Sequence, residues 1–196
     1  MSDIAAFVLA GGKSSRMGQD KAFLELGGRS LLARTLELAG SVSPSVAIVG
    51  DGVKFFPMGR VVEDVYPGQG PLAGIHAALL SSDAALNLML AVDIPFVETE
   101  FLQYLLSEAS RGSAVATVPK TREGWQPLCA VYRREFAETA ERALRAGKNK
   151  IGPLFEQVET RVISSDELIR INIDELMFRD LNTPEDWRTA AEYLKG

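Results

Sequence analysis

The sequence predicts an α/β protein: a three-layer α/β/α, Rossmann-like fold with a mostly parallel central sheet. Short apolar runs of strand length alternate along the chain with segments whose apolar residues recur at helical spacing. That alternation is typical of parallel sheets covered by helices on both faces. The length of 196 residues suits one such domain and leaves no room for a second. We therefore expect one domain over residues 1–196.

The first half of the chain is predicted to form four strands and two helices. The strands are expected at 4–10, 45–50, 60–64 and 86–93, and the last of them ends on the carboxylate of Asp93. A helix is predicted over 30–39, where leucines recur at helical spacing, and Gly40 is expected to end it. A second helix is predicted over 70–82, with Pro71 at its first position.

The second half is predicted to contain three helices and three strands. The helices are expected at 98–110, 135–147 and 182–195, and the strands at 113–120, 126–133 and 160–165. Parallel sheets of this kind bind ligands at the carboxyl ends of their strands. Functional residues are therefore expected after Ala10, Val49 and Val92.

Composition excludes several classes of function. The net charge of −5 gives no global basic field for nucleic acid, and no apolar run reaches the length of a membrane span. The N-terminus lacks the pattern of a signal peptide, so we expect a cytoplasmic protein. Cys129 is the sole cysteine and His76 the sole histidine. These counts exclude an intramolecular disulfide, a cysteine or histidine metal cluster and a histidine triad elsewhere, and both residues are expected to be structural.

The stretch "LAGGKSSRMGQDKAFLEL" (9–26) begins where the first predicted strand ends. Gly11 and Gly12 allow the backbone to approach a ligand closely, and Lys13, Arg16 and Lys21 follow them. Basic side chains beside exposed amides favour a phosphate. A solvated turn that happens to be basic is an equal alternative. The spacing fits neither the P-loop nor the G-x-G-x-x-G template.

The segment from Leu9 to Gly28 also resembles the signature of glycosyltransferase-A-like nucleotidyltransferases: L-A-G-G, R-M-G, a lysine and a leucine run. Three further segments match that superfamily in order: "EDVYPGQGPLAGI" (63–75), "LAVDIPFV" (90–97) and "LNTPEDW" (181–187). Asp20 stands before Lys21, as in the molybdopterin enzymes, where sugar-nucleotide and cytidylyl relatives usually have proline. Gly12 favours the guanylyl branch over the molybdopterin cytidylyl enzymes, which tend to have L-A-A-G. Within the superfamily the chain is most similar to the MobA-type molybdenum cofactor guanylyltransferases.

The resemblance implies a fold of the nucleotide-diphospho-sugar transferase type, with a nucleotide-binding N-terminal half and an acceptor-binding C-terminal half. It implies transfer of GMP from GTP to the phosphate of molybdenum-bearing molybdopterin, with release of pyrophosphate. The implied nucleotide contacts are Leu9, Ala10, Gly11, Gly12, Lys21, Asp64 and Asp93, and the implied catalytic residues are Arg16, Lys21 and Asp93. Where guanylyltransferases often carry an asparagine, this chain has Val49, so no role is assigned there.

Asp93 is the expected Mg²⁺ ligand. A carboxylate at the end of a buried strand is costly unless it is paired or bound to a metal, and Mg²⁺ is held by one or two carboxylates together with phosphates and water. The alternatives are a turn aspartate or a helix cap. Mg²⁺ is the only cofactor expected.

The acceptor side carries weaker signals. Thr183, Pro184 and Asp186 form a near capping box, which explains them without function. Asn182 is not explained in that way, and the resemblance implies that it contacts the acceptor. Lys148 and Lys150 could meet an acceptor phosphate or be solvated charges at a helix end. Trp125, beside Gln126, could stack on a pterin or simply pack.

Two alternatives remain open from the sequence. One is another nucleotidyltransferase, such as a cytidylyltransferase acting on molybdopterin. The other is a nucleotide-binding regulator without activity. The expected partners are GTP and molybdopterin or the molybdenum cofactor, with transient contacts to molybdenum cofactor biosynthesis proteins and apo-molybdoenzymes. We expect no nucleic acid or membrane partner, and a monomer or weak oligomer.

Overall fold

The computed structural model describes residues 3–11, 20–181, 183, 186–188 and 190. The strands are β1 (Ile4–Leu9), β2 (Glu25–Leu26), β3 (Arg29–Ser30), β4 (Val46–Val49), β5 (Val61–Val62), β6 (Leu86–Ala91), β7 (Ala116–Thr121), β8 (Gly124–Trp125), β9 (Cys129–Tyr132) and β10 (Thr160–Ser164). The helices are α1 (Leu31–Val42), α2 (Gly52–Phe55), α3 (Pro71–Leu80), α4 (Thr99–Arg111), α5 (Phe136–Arg145) and α6 (Ser165–Arg170). Short 3₁₀ turns occupy Lys21–Phe23, Phe56–Met58, Gly152–Glu156 and Glu175–Phe178.

The central sheet has the strand order β10-β7-β9-β6-β1-β4-β5, with β8 paired to β7. The pairs β1–β4, β1–β6, β4–β5 and β7–β10 are parallel. β9 runs antiparallel to both of its neighbours, β6 and β7, and β8 is antiparallel to β7. The mostly parallel sheet predicted from the alternating pattern is confirmed, with β9 as its reversed inner strand.

The helices cover both faces of the sheet. Ala6 and Val8 of β1 face one apolar cluster, which also contains buried residues of α1 and α4. Phe7 and Leu9 face a second cluster, which contains buried residues of α3 and α5. Successive residues of a strand point to opposite faces, so an unbroken apolar run serves both layers. The predicted three-layer arrangement is confirmed.

The prediction that Gly40 ends the first helix is wrong, because α1 continues to Val42. Ser43 has an extended backbone, and Pro44 follows it. A residue before proline is disfavoured in the helical region, so the helix stops there rather than at the glycine. The Ser43 hydroxyl donates to the Ile4 carbonyl at 3.0 Å, which ties this helix end to β1.

Other predicted element boundaries differ from the observed ones by a few residues. β6 stops at Ala91, so Asp93 lies two residues beyond the strand that was expected to include it. The hairpin of β2 and β3, the short helices α2 and α6 and the strand β8 were not predicted. The two short helices are too brief to show a helical repeat, and β2, β3 and β8 lack the apolar run that marked the predicted strands. Of the predicted last helix, 186–188 and 190 are helical and the rest lies outside the described residues. Over the described parts of the chain, no helix has the length and apolar character needed to cross a membrane.

Candidate active site

The carboxyl ends of four neighbouring strands form the edge where the site residues were predicted. β1, β4, β5 and β6 are parallel, and Leu9 is in register with both Val49 and Ala91. Backbone hydrogen bonds continue past the strand ends, from Ala10 N to the Val49 carbonyl at 3.0 Å and from Val92 N to the Leu9 carbonyl at 3.2 Å. The first residues after β1 and β6 are therefore held in place by backbone hydrogen bonds to the neighbouring strands.

Gly11 is the first residue of the predicted phosphate loop. A Cβ placed on it would lie 3.8 Å from both the Gly50 Cα and the Val49 carbonyl oxygen, so β1 and β4 leave the sheet in close contact. Gly12, Lys13 and Arg16 lie outside the described residues. The structure therefore places the two ends of this loop, at Gly11 and Asp20.

Lys21 and Asp93 meet at the middle of the edge. The Lys21 ammonium lies 3.1 Å from Asp93 Oδ2, and the two side chains are 18% and 25% exposed. Lys21 comes from the 3₁₀ turn after the glycine-rich stretch, and Asp93 from the turn after β6. The structure thus brings together the predicted phosphate-binding lysine and the predicted metal ligand.

Asp64 follows β5 and is partly buried, and burial raises the pKa of its carboxyl. A Cβ placed on Gly74 of α3 would lie 3.6 Å from Asp64 Oδ1, 3.5 Å from the Leu9 side chain and 3.2 Å from that of Val49. Asp64 therefore sits beside the ends of β1 and β4, where the nucleotide was predicted. The tightest neighbour of Gly74 is the Val49 side chain, and its distance to the Asp64 carboxylate is one of ordinary van der Waals contact.

The position that often carries an asparagine in guanylyltransferases is filled by buried Val49. Asp51, two residues later, caps the next helix: its Oδ1 accepts a hydrogen bond from Lys54 N at 2.9 Å. The Asp51 carboxylate is thus engaged by the backbone of α2.

The acceptor side is only partly described. Thr183 and Asp186 form the predicted capping box, with the Asp186 carboxylate accepting from Thr183 N at 2.8 Å and the Thr183 hydroxyl accepting from Asp186 N at 3.2 Å. Asn182 lies outside the described residues, but its neighbour Leu181 donates its N–H to the Asp93 carbonyl at 3.0 Å. Leu181 is therefore held next to the proposed metal ligand.

The remaining acceptor candidates have structural surroundings. Trp125 packs against Phe155, with ring centroids 4.8 Å apart, and the Lys120 ammonium lies over its ring. Gln126 donates to the Thr121 hydroxyl at 3.1 Å. Lys148 and Lys150 are exposed. These contacts favour a packing role for Trp125 over stacking on a pterin. The exposure of the two lysines is that of solvated charges, the alternative to binding an acceptor phosphate.

His76 and Cys129 are core residues, as predicted. His76 is 1% exposed and lies beside the Tyr66 ring, and burial is the main cause that lowers its pKa and so favours the neutral imidazole. Cys129 is buried in β9, and burial raises the pKa of its thiol, which keeps it protonated. Neither is available as a nucleophile or general base at the strand ends.

The carboxylates suit Mg²⁺ better than a cation that needs a cage of protein ligands. Among the residues that the structure describes, no group of three or more histidine, cysteine, aspartate or glutamate side chains could hold a metal. Mg²⁺ needs only one or two carboxylates when substrate phosphates and water complete its shell. Asp93, partly exposed at the strand edge, fits that requirement.

Residues 6–162 match the model of the MobA-like NTP transferase domain. The chain belongs to this family. A probable molybdenum cofactor guanylyltransferase of Pelotomaculum thermopropionicum is 38% identical over 190 residues, which cover 95% of this chain and 91% of the relative. The molybdenum cofactor guanylyltransferase of Desulfosudis oleivorans is 31% identical over 100% of this chain and 98% of its own. Membership of the MobA-like family makes the protein a nucleotidyltransferase.

Solved structures agree with this family. The molybdopterin-guanine dinucleotide biosynthesis protein A of Archaeoglobus fulgidus superposes with a TM-score of 0.86 at 28% identity, covering 97% of this chain and 98% of that one. The 2-C-methyl-D-erythritol 4-phosphate cytidylyltransferase of Thermus thermophilus superposes with a TM-score of 0.71 at 18% identity, covering 97% and 98%. The second likeness shows the fold alone, and it confirms the nucleotidyltransferase fold predicted from the sequence.

Proposed function

We propose that this protein transfers GMP from GTP to the phosphate of molybdenum-bearing molybdopterin, forming the guanine dinucleotide cofactor and releasing pyrophosphate. Within a MobA-like family member, the observation that carries the proposal is the contact of Lys21 with Asp93 at the carboxyl edge of the sheet. It pairs a phosphate-binding cation with a carboxylate suited to Mg²⁺. The names of the two curated relatives support guanylyl transfer over cytidylyl transfer.

The chemistry needs no general base from the protein. The acceptor phosphate monoester has a second pKa of about 6, so it is largely dianionic at neutral pH. One of its oxygens forms a bond to the α-phosphorus of GTP, and the bond from that phosphorus to the bridging oxygen of the β-phosphate breaks. The electron pair leaves with pyrophosphate. The burial of His76 and Cys129 is consistent with this mechanism.

The main barrier is repulsion between two anions, which positioning and fixed positive charge lower. Lys21 and Arg16 would neutralise the triphosphate, and backbone groups of Leu9, Ala10, Gly11 and Gly12 would hold the base and ribose. Asp64 would support the nucleotide beside the end of β1. Asn182 would meet the acceptor, and its neighbour Leu181 is already bonded to the backbone of Asp93.

Asp93 would hold the Mg²⁺ ion. When bound, the ion supplies positive charge to the phosphate oxygens and helps to orient them. The Lys21 ammonium balances the Asp93 carboxylate in the structure. Because the two charges lie side by side, Lys21 would contact a phosphate group of GTP while Asp93 holds the metal ion.

The test is a pyrophosphate-release assay with purified protein, Mg²⁺ and either GTP or CTP, with and without molybdopterin as acceptor. Release that needs both GTP and molybdopterin, together with a product containing guanine, is the expected result. Faster release from CTP would contradict the choice of base. Absence of turnover with either nucleotide, in protein that binds GTP, would favour the regulator over the enzyme.

A further inference from the structure

We propose that Asp20 and Lys54 form a positioning pair that holds Lys21 in its working place against Asp93. The inference rests on the proposed function, because it assigns these residues to the site that would transfer GMP. Asp20 entered the sequence analysis only as a marker of the molybdopterin branch, and Lys54 did not enter it. The structure joins both to the turn that carries the lysine.

The turn that carries Lys21 is held by hydrogen bonds and by a buried side chain. Asp20 is the N-cap of the 3₁₀ turn Lys21–Phe23, and its Oδ1 accepts a hydrogen bond from Ala22 N at 2.9 Å. Leu24 N bonds back to the Lys21 carbonyl at 3.1 Å, and the Ala22 side chain is fully buried. With its backbone bonded and its next residue buried, Lys21 leaves this turn in one direction, toward Asp93.

An ion pair with Lys54 of α2 connects this turn to another part of the chain. The other carboxylate oxygen of Asp20 pairs with the Lys54 ammonium, and the two side chains are 27% and 30% exposed, respectively. Lys54 lies on α2, after β4, and its ammonium is 5.2 Å from the Phe23 ring centroid and 4.7 Å from that of Phe55. The two rings stack at 5.9 Å. One cation therefore ties the lysine-bearing turn to the segment after β4.

Helix α2, which carries Lys54, is in turn held against the ends of β4 and β5. The Phe55 ring packs so closely on Gly50 that a Cβ there would lie 2.8 Å from it. Glu63 Oε1 accepts from Gly52 N at 3.1 Å, which binds the start of α2 to the end of β5. The contacts run without a gap from β4 and β5, through Lys54 and Asp20, to Lys21.

The physical reason for assigning a positioning role is the difference in scale between two effects. A partly exposed ion pair contributes little to global stability. A displacement of about 1 Å in a group that meets the reacting atoms can lower the rate about 100-fold. Loss of the Asp20–Lys54 pair should therefore reduce turnover far more than it reduces stability.

Four variants separate charge from shape. Asp20→Asn keeps the side-chain oxygen that caps the turn and removes the charge. Lys54→Met keeps an apolar stem on the two rings and removes the ammonium. We combine these as a double variant, and Lys54→Arg restores the cation. Asp83→Asn is the matched control, because it breaks the exposed pair with Arg134 just before β6, at the opposite edge of the sheet.

Each single variant should lower kcat for pyrophosphate release about tenfold, with KM for GTP changed less than about twofold. The double variant should be no slower than either single one, and Lys54→Arg should recover most of kcat. Melting temperatures should stay near that of the wild type, and Asp83→Asn should behave as wild type. Wild-type kcat in both single variants would overturn the proposal, as would losses that multiply in the double variant or that follow the melting temperature.

A readout independent of turnover keeps this inference separate from the proposed function. The NMR signal of ¹³C-methylated Lys21 in the ligand-free protein should move in both Asp20→Asn and Lys54→Met and stay in place in Asp83→Asn. An unmoved signal in the first two variants overturns the positioning pair. A wild-type protein that releases no pyrophosphate from GTP in the presence of molybdopterin and Mg²⁺ overturns the proposed function, while the NMR result still decides the pair.

Discussion

Lys21 and Asp93 are separated by 72 residues and meet at 3.1 Å. Each side chain taken alone has an ordinary structural explanation: a surface cation in a basic turn, and an aspartate in a turn after a strand. Their contact at the common edge of parallel strands distinguishes them from such residues. Substitutions of single residues are therefore the sharpest tests of the site.

Lys21→Ala should lower kcat/KM for pyrophosphate release about 10²- to 10³-fold, because it removes a fixed positive charge from the place where phosphate charge is transferred. The melting temperature should change by only a few degrees, since the ion pair is partly exposed. Steady-state kinetics and a thermal melt measure both. Arg111→Ala, which removes an exposed cation paired with Glu108, is the control and should retain wild-type kinetics. Near-normal turnover of Lys21→Ala would remove Lys21 from the mechanism.

Asp93→Asn should weaken the affinity for divalent metal in the GTP complex tenfold or more, because an amide oxygen is a poorer ligand for a hard cation than a carboxylate. Titration of Mn²⁺ followed by electron paramagnetic resonance measures this affinity without turnover. Asp83→Asn removes an aspartate from the surface and should bind metal as the wild type does. An unchanged affinity in Asp93→Asn would place the metal on other ligands.

Asp64→Asn should stabilise the ligand-free protein while it weakens GTP binding. Burial raises the pKa of Asp64, so at neutral pH the folded state holds a carboxylate that would be better solvated in the unfolded chain. When the pH falls through the raised folded pKa toward the unfolded value of about 3.9, the folded form takes up its proton first and the penalty disappears. The stabilising effect of the substitution should therefore be present at pH 7 and shrink toward pH 4.

Urea unfolding of wild type and Asp64→Asn across that pH range, with calorimetry of GTP binding at pH 7, checks both halves of this prediction. Asp83→Asn, whose carboxylate is 95% exposed, serves as the reference for removing a solvated charge. A variant less stable than wild type at pH 7 would show that the Asp64 carboxylate contributes to stability instead of opposing it.

At the scale of elements, the helices differ in how tightly they approach the site. α3 starts at Pro71, and its Gly74 lies against the side chains of Leu9 and Val49 at the ends of β1 and β4. α1 lies on the opposite face and contains exposed Gly40, where an added Cβ would meet nothing within 4 Å. The two glycines share a helical backbone and differ in their surroundings.

Gly40→Ala should raise the free energy of unfolding by about 0.5 kcal/mol, since alanine loses less backbone entropy in a helix than glycine does. Gly74→Ala should fail to give this gain and should weaken GTP binding, because its Cβ would crowd the Val49 side chain at 3.2 Å, at the end of β4, although its distance to Asp64 Oδ1, 3.6 Å, is ordinary contact. Denaturant unfolding and GTP calorimetry compare the pair. Equal stabilisation by both substitutions, with unchanged affinity, would show that α3 can move away from the site.

At the scale of the whole molecule, the negative net charge of −5 opposes anionic substrates at long range. Recognition of the proposed triphosphate substrate is therefore expected to come from local cations and from the proposed Mg²⁺. The described cations at the edge, Lys21 and Lys54, are both paired with carboxylates. Binding of nucleotide is thus expected to depend on the presence of Mg²⁺.

GTP with Mg²⁺ should raise the melting temperature of the whole protein. At a free concentration of about 100 times Kd, a ligand bound only by the folded state adds about 2.7 kcal/mol, which corresponds to about 5 to 10 °C for a chain of this size. CTP with Mg²⁺ should give a smaller shift, and GTP with EDTA a shift near zero. Equal shifts for the two nucleotides would contradict selection of guanine at the binding step.

The fold class, the main strands and helices, and the residues that follow each strand could be predicted from the amino-acid sequence. These are local properties: an apolar run or a helical repeat is visible within about ten residues, and parallel strands place their carboxyl ends at one edge whatever their order. The resemblance of four ordered segments added the family, and the comparison with known proteins confirmed it. Asp64 and Asp93 could be proposed from these signals alone.

The reversed strand β9, the approach of Gly74 to Asp64 and the pairing of Asp20 with Lys54 are seen only in the folded chain. Each depends on contacts between segments far apart in the chain, and the pattern of one segment does not encode its partner. Lys54 shows the limit most clearly: it is one lysine in a four-residue helix, and its place beside the site follows from the packing of Phe23 and Phe55 around it.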